Sequence, residues 1–231
     1  METYDVVVVG SGTSGQTAAF RLKEKGLNVA VIEKADRPGG VCALAGCQPK
    51  KWFYEAAEAI AKSRHLESKG IVAAPEGNWR QVLEQKQQFT ASIPEGTIQN
   101  LQNAGIDLLA GTAAFLDDKT LSVGEEKIQA KFFVLATGAK PMDLPIEGMA
   151  HVITSDDFLE LPELPPTILF IGGGFISFEF AHFAARLASD KQRLVIFEVA
   201  DRPLGPFDAE MVELLVEASQ AAGIEIISGV D

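Results

Sequence analysis

Asp5-Val6-Val7-Val8-Val9-Gly10-Ser11-Gly12-Thr13-Ser14-Gly15 sets a β-branched run against a glycine turn, and a helical pattern follows from Gln16 to Lys25 before Gly26. A second apolar run, Asn28-Val29-Ala30-Val31-Ile32, ends in Glu33. Strand, G-x-G-x-x-G, helix, strand and an acidic residue some ~20 positions on make up the dinucleotide-binding fingerprint. In that reading Gly10 permits the tight turn, Gly12 lets backbone approach a pyrophosphate, Gly15 brings helix close to strand, and Glu33 receives a ribose hydroxyl. A glycine turn of purely structural use is the competing reading, and the acidic residue at this distance weighs against it.

The pattern recurs. Thr167-Ile168-Leu169-Phe170-Ile171 leads into Gly172-Gly173-Gly174-Phe175-Ile176-Ser177, a helix from Phe178 to Ala188, and a strand Leu194-Val195-Ile196-Phe197 ending in Glu198. Asp36-Arg37-Pro38 is echoed by Asp201-Arg202-Pro203. Two fingerprints imply two nucleotide sites. Ser177 replaces the third glycine and is small enough to keep the helix close. Glu198 takes the ribose position, and Arg202 is the only basic residue between Leu194 and Glu210. A 2′-phosphate would meet repulsion there, which favours NAD over NADP.

Between the fingerprints lie the only two cysteines, in Gly39-Gly40-Val41-Cys42-Ala43-Leu44-Ala45-Gly46-Cys47-Gln48-Pro49-Lys50-Lys51. Five residues of ideal helix give about 7.5 Å of rise and roughly 140° of rotation, so a regular helix would turn the two sulfurs apart. Gly39, Gly40 and Gly46 supply the distortion a pair needs, and Pro49 suits the first turn of a helix continuing through Ile60. Cys47 then sits before a helix N-terminus, near Lys50 and Lys51, where a thiolate is favoured. From spacing alone, two structural thiols and a redox-active dithiol remain open.

At 231 residues the chain can form one large or two modest domains, and its 47% hydrophobic and 23% charged content is ordinary for a soluble globular protein. The formal charge of −12 argues against nucleic-acid or anionic-membrane partners. Residues 151–231 carry 4 Lys/Arg against 14 Asp/Glu, and residues 1–150 carry 16 against 18, so composition shifts near 150. The N-terminus, with Glu2 and Asp5 before a four-valine run, reads as neither signal peptide nor membrane span. A cytoplasmic location, where thiols stay reduced, is expected.

An amphipathic helix is predicted from Trp52 to Gly70, with Ala56, Ala59 and Ile60 on one side, and a second from Trp79 to Ala104, broken around Pro94. Ile106–Phe115, Thr120–Val123 and Lys131–Leu135 read as strands, the last leading into Ala136-Thr137-Gly138. Residues 142–166, Pro-rich and acidic, read as a crossover. His65 reads as a solvated helix end, and no His or Cys stands at metal-ligand spacing.

Two fingerprints with a C-x4-C shortly after the first resemble the pyridine nucleotide-disulfide oxidoreductases, the flavoprotein family of glutathione reductase, dihydrolipoamide dehydrogenase and mercuric reductase. The resemblance implies an α/β, FAD/NAD(P)-binding Rossmann-like fold with two nucleotide-binding domains, the second incomplete: residues 1–150 as the first part of an FAD domain and 151–231 as the start of an inserted NAD(P) domain. It places FAD at Gly10, Ser11, Gly12, Thr13, Ser14, Gly15, Glu33, Lys34, Gly40, Val41, Ala113, Thr137 and Gly138. NAD(P)H falls to Gly172, Gly174 and Glu198, with Phe175 covering the nicotinamide pocket.

The same resemblance makes Cys42 the thiol that attacks substrate, Cys47 the one facing the flavin, and Lys51 the lysine near the flavin with Glu179 as its carboxylate partner. It implies a small-molecule or protein disulfide or dithiol substrate, no metal, and a homodimer for a full-length protein. Members usually carry an aliphatic residue at Gln48, Asn at Leu44 and Ser or Thr at Lys50. They also continue into a dimerisation domain with a His-Glu acid/base pair that neither His151 nor His182 matches. A fragment that binds FAD weakly and lacks turnover alone is therefore expected. Two rivals stay open: a flavin electron-transfer protein with structural cysteines, and a nucleotide-binding module without catalysis.

Overall fold

The computed structural model describes residues 2–188 and 192–229. These residues divide into two compact units, 1–49 with 87–156 and 50–86 with 157–231. The composition boundary at 150 falls close to the last crossing between them. Residues 50–86 group with the second unit, not with the rest of 1–150.

In the first unit β1 (Glu2–Val9) leads through α1 (Thr13–Glu24) to its parallel neighbour β2 (Val29–Glu33). α2 (Val41–Leu44) follows, and then α3 (Pro49–His65) and α4 (Trp79–Ala91), each of which runs across a boundary between the units. α5 (Ile93–Asn103) returns the chain to β3 (Asp107–Ala110), parallel to β2. β4 (Ala113–Phe115), β5 (Thr120–Val123) and β6 (Glu126–Leu135) form an antiparallel meander, and β6 continues as the parallel neighbour of β1 on its other side.

Sheet order is β3-β2-β1-β6-β5-β4. The predicted single strand Ile106–Phe115 is thus two strands at opposite ends of that order. Two residues join them, and three Cα steps span at most about 11 Å, whereas the outer strands of six in a flat sheet stand about 24 Å apart. The sheet therefore curls, and the meander folds over one face. Val7, Ala30 and Ile32 bury against Leu121, Val123 and Ile128 on that face. On the opposite face Val6, Val8 and Val31 bury against Ala19, Leu101 and Ile106.

In the second unit α6 (Ser155–Phe158), which bridges from the crossover segment, precedes β7 (Thr167–Ile171), α7 (Phe175–Leu187), β8 (Arg193–Glu198), α8 (Ala209–Ala221) and β9 (Ile224–Ser228). The strands form a parallel sheet ordered β7-β8-β9. α7 carries four phenylalanines and buries Phe178, Phe180, Phe183 and Leu187. So apolar a helix needs cover beyond the sheet. Phe53, Ala57 and Ile60 of α3 and Trp79 and Leu83 of α4 supply it. The buried side of α3 is thus Phe53/Ala57/Ile60, and Ala59 is exposed, contrary to expectation. Phe53 and Trp79 lie 4.6 Å apart between ring centroids, and the Trp79 indole N–H donates to Leu161 O at 2.8 Å.

Candidate functional site

In the first unit the glycine turn is built by exclusion of side chains. A Cβ on Gly10 would collide with the Ala136 carbonyl oxygen, and one on Gly15, already inside the first turn of α1, would collide with Gly10 O. The helix starts three residues before the predicted Gln16 because Gly12 caps it with no side chain. Thr13 and Ser14 are exposed in its first turn, where backbone N–H groups have no intrahelical partner.

Ser11 is fully buried. Its N–H (2.8 Å) and hydroxyl (2.6 Å) both donate to Glu33 Oε2, while its Oγ accepts from Gly39 N–H at 3.1 Å. Ala35 N–H donates to Glu33 Oε1 at 2.9 Å. Burial pushes the Glu33 carboxyl up, but these hydrogen bonds outweigh it and hold the group below the usual carboxylate range. Lys34 is exposed. Thr137 and Gly138 follow β6, beside the turn, and Ala113 lies in the meander against the buried cluster around Val7.

The cysteine loop begins on this turn. A Cβ on Gly40, at φ +76°, would collide with the Gly12 Cα. Val41 and Cys42 open α2, which ends after one turn at Ala45 (φ −140°). Gly46 N–H donates to Val41 O at 2.6 Å and Gln48 N–H to Cys42 O at 2.9 Å. The segment is therefore a tight wrap, not continuous helix, and α3 starts at Pro49 as predicted. Cys42 is half-buried and Cys47 exposed.

The second fingerprint repeats the design with one inversion. Glu198 Oε2 accepts from Gly173 N–H at 2.7 Å and Oε1 from Ala200 N–H at 2.9 Å. Gly173 is the crowded glycine: a Cβ there would stand 2.7 Å from Pro203 Cβ and 2.9 Å from Glu198 Oε2. Around Gly172 and Gly174 no atom lies within 4 Å of the Cβ position. Arg202 donates to Gly205 O (2.7 Å) and Phe207 O (3.2 Å).

In this unit Glu179 meets Lys50, not Lys51. The Lys50 Nζ lies 2.7 and 3.0 Å from its carboxylate oxygens and 5.6 Å from the centroid of the half-exposed Phe175 ring. Lys51, one residue and about 100° further round the helix, is exposed.

Residues 4–231 match the pyridine nucleotide-disulphide oxidoreductase family. The chain belongs to this family. It is 31% identical over 230 residues to a dihydrolipoyl dehydrogenase of Bacillus subtilis, covering 96% of this chain and 49% of the relative. It is 32% identical over 231 residues to a mercuric reductase of Staphylococcus aureus, covering 98% and 42%. The HOCl-induced flavoprotein disulfide reductase RclA of Escherichia coli, solved as a Cu(II) complex, superimposes with a TM-score of 0.85 at 26% identity over 100% of this chain and 50% of that one. The chain thus spans about half the length of the relatives it matches.

For a member of this oxidoreductase family, three features escaped the sequence reading. Ser11, expected only as a residue at the FAD, is the buried link between the carboxylate at the end of β2 and the cysteine loop. Gly173, flanked by two glycines given to ligand, carries the packing. Lys50 reaches Glu179, and its position one helical turn before Tyr54 offered no pattern by which to choose it over Lys51. Among the described residues no group of three or more His, Cys, Asp or Glu is arranged to hold a metal, and no helix is long and apolar enough to cross a membrane.

Proposed function

We propose that the chain is the nucleotide-binding half of an FAD-dependent, NAD(P)H-linked disulfide or dithiol oxidoreductase, with Cys42 and Cys47 as its exchanging pair. The observation that carries this reading is the backbone contact of Gly40 with Gly12, which anchors the cysteine loop on the first fingerprint turn. The residues fit FAD. The first turn of α1 is capped by glycine alone, which leaves N–H groups for a pyrophosphate. Ser11 and Ala35 hold the Glu33 carboxylate at the end of β2, the position from which the fingerprint's acidic residue receives a ribose hydroxyl. Bound there, FAD would supply two-electron transfer between a nicotinamide and the dithiol.

The protein's own part is thiol exchange and positioning. The Cys42 thiolate attacks one sulfur of a substrate disulfide and releases the other as a thiolate. Cys47 then attacks Cys42 Sγ in the mixed disulfide, releasing the second substrate thiol and leaving Cys42–Cys47 oxidised. Lys50, fixed by Glu179, places an ammonium in the second unit.

Among the described residues Glu198 accepts from Gly173 N–H and Ala200 N–H, which leaves acceptor positions for both hydroxyls of an adenosine ribose. Arg202 is turned onto two carbonyls. NAD is thus the preferred nicotinamide cofactor. A cytoplasmic location and dimerisation of a full-length protein go with this reading.

Exchange is tested with an aromatic disulfide that releases a coloured thiolate. The unmodified chain is expected to release two equivalents and retain no adduct by mass spectrometry, while Cys47→Ser keeps one adduct and releases one. Two stable adducts on the unmodified chain would leave the cysteines as structural thiols. Flavin fluorescence on titration with FAD tests the cofactor, with Gly12→Ala expected to weaken binding.

A further inference from the structure

α8 has three faces where a surface helix normally has two. Val212, Val216 and Ser219 turn toward the sheet, Val212 and Ser219 fully buried. Glu210, Glu213 and Glu217 occupy a charged face. Met211, Leu214, Leu215 and Ala218 line a third, at the i, i+3, i+4, i+7 spacing of an apolar stripe. Met211 is 67% and Leu214 62% exposed, and Phe207, just before the N-cap Asp208, extends the stripe at 54%. Scattered exposed apolar residues need no explanation, but a contiguous stripe with an acidic border marks an interaction surface.

The charge settles what kind of partner fits. α8 holds three glutamates and no lysine or arginine, and the whole chain carries −12. Apposing two copies of this face would bring like charges together around the apolar seam. A basic amphipathic helix satisfies both the stripe and its border. We infer that the Phe207/Met211/Leu214/Leu215 face of α8 docks a basic, apolar-faced helical segment of another protein. None of these four side chains belongs to the second fingerprint turn, Gly172–Ser177.

The test uses a fluorescein-labelled 14-residue helical peptide of leucine and lysine, with a leucine/glutamate peptide of the same pattern as control, and anisotropy as readout on the 231-residue chain. The lysine peptide is expected to bind saturably, and the glutamate peptide at least about tenfold more weakly. Met211→Gln/Leu214→Gln should lower affinity at least about tenfold, because anchor side chains at a seam carry most of the energy. Glu213→Lys/Glu217→Lys should do the same and flatten the salt dependence. Both pairs are surface substitutions, and unchanged circular dichroism and thermal midpoint confirm the fold. Equal binding of the lysine peptide by the Met211→Gln/Leu214→Gln chain would overturn the inference. So would concentration-dependent dimerisation abolished by that same pair, since the occupant would then be a second copy.

Discussion

Burial leaves His182 with only one acceptable protonation state. Ser219 donates its hydroxyl to Leu215 O at 2.7 Å, so the His182 Nε2, 3.0 Å from the same Oγ, carries the hydrogen and donates. Nδ1 is buried with no partner among the described residues. Desolvation, with the nearby Arg186 charge second, lowers this imidazole from 6.5 to about 4. The unfolded chain takes up the proton near pH 6.5 and the folded chain only near 4, so acid draws the equilibrium toward unfolding between those values and stability is fully present above them. Urea midpoints should fall from pH 7 to pH 4.5 more steeply for the unmodified protein than for His182→Gln, whose amide still donates to Ser219. Parallel slopes would mean that His182 is not the group responsible. Lys86 makes the opposite case. Its ammonium is fully buried against Glu160, whose side chain is half exposed. Lys86→Met removes the buried charge and leaves a carboxylate that water can reach, so it should cost less than about 1 kcal/mol, whereas Glu160→Ala strands the ammonium and should cost about 2–4 kcal/mol. Equal losses in a denaturant titration would contradict that asymmetry.

At the scale of elements, the cysteine loop depends on backbone meeting backbone. Gly40→Ala puts a methyl group into the Gly12 Cα at a left-handed φ of +76°, so both strain and collision oppose it. Gly138→Ala meets a similar φ of +73° with nothing within 4 Å. The second should cost about 1 kcal/mol and the first clearly more, with a displaced loop. Thermal midpoints, together with the rate of Cys42 alkylation, separate the two outcomes. These elements differ in how far sequence reveals them. Pro49 marks the start of α3 because its fixed φ and missing donor act locally, and the ends of β1 and β2 follow from local glycine and charge signals. The division of Ile106–Phe115 at Gly111 does not, since each half is apolar and only the curl of the sheet sends them to different neighbours. α8 and β9 went unread because a helix with two apolar faces blurs the 3.6-residue period. The choice of Lys50 over Lys51 depends on the direction in which α3 presents each side chain to Glu179, a tertiary fact.

At the scale of the molecule, each fingerprint belongs to its own sheet and its own core. The cluster around Phe53, Phe183 and Ile196 draws only on the second unit, and those around Val7 and Val8 only on the first. Length and two fingerprints made the existence of two units legible. They did not reveal that residues 50–86 would leave the first, because the demand comes from Phe178, Phe180 and Phe183 of α7, far along the chain. Separate cores imply separable sites. Gly12→Ala meets only ordinary contact, its Cβ 3.7 Å from the Gly40 Cα, and Gly174→Val enters open space at an extended N-cap conformation, so both chains should fold. On the proposed function, each would fill the space through which a pyrophosphate approaches its helix. Gly12→Ala should weaken FAD at least about tenfold and leave NADH unchanged, and Gly174→Val should do the reverse, when each ligand is titrated alone by its own fluorescence. A variant that weakened both ligands alike would show one coupled site, and the assignment of one nucleotide to each unit would fall with it.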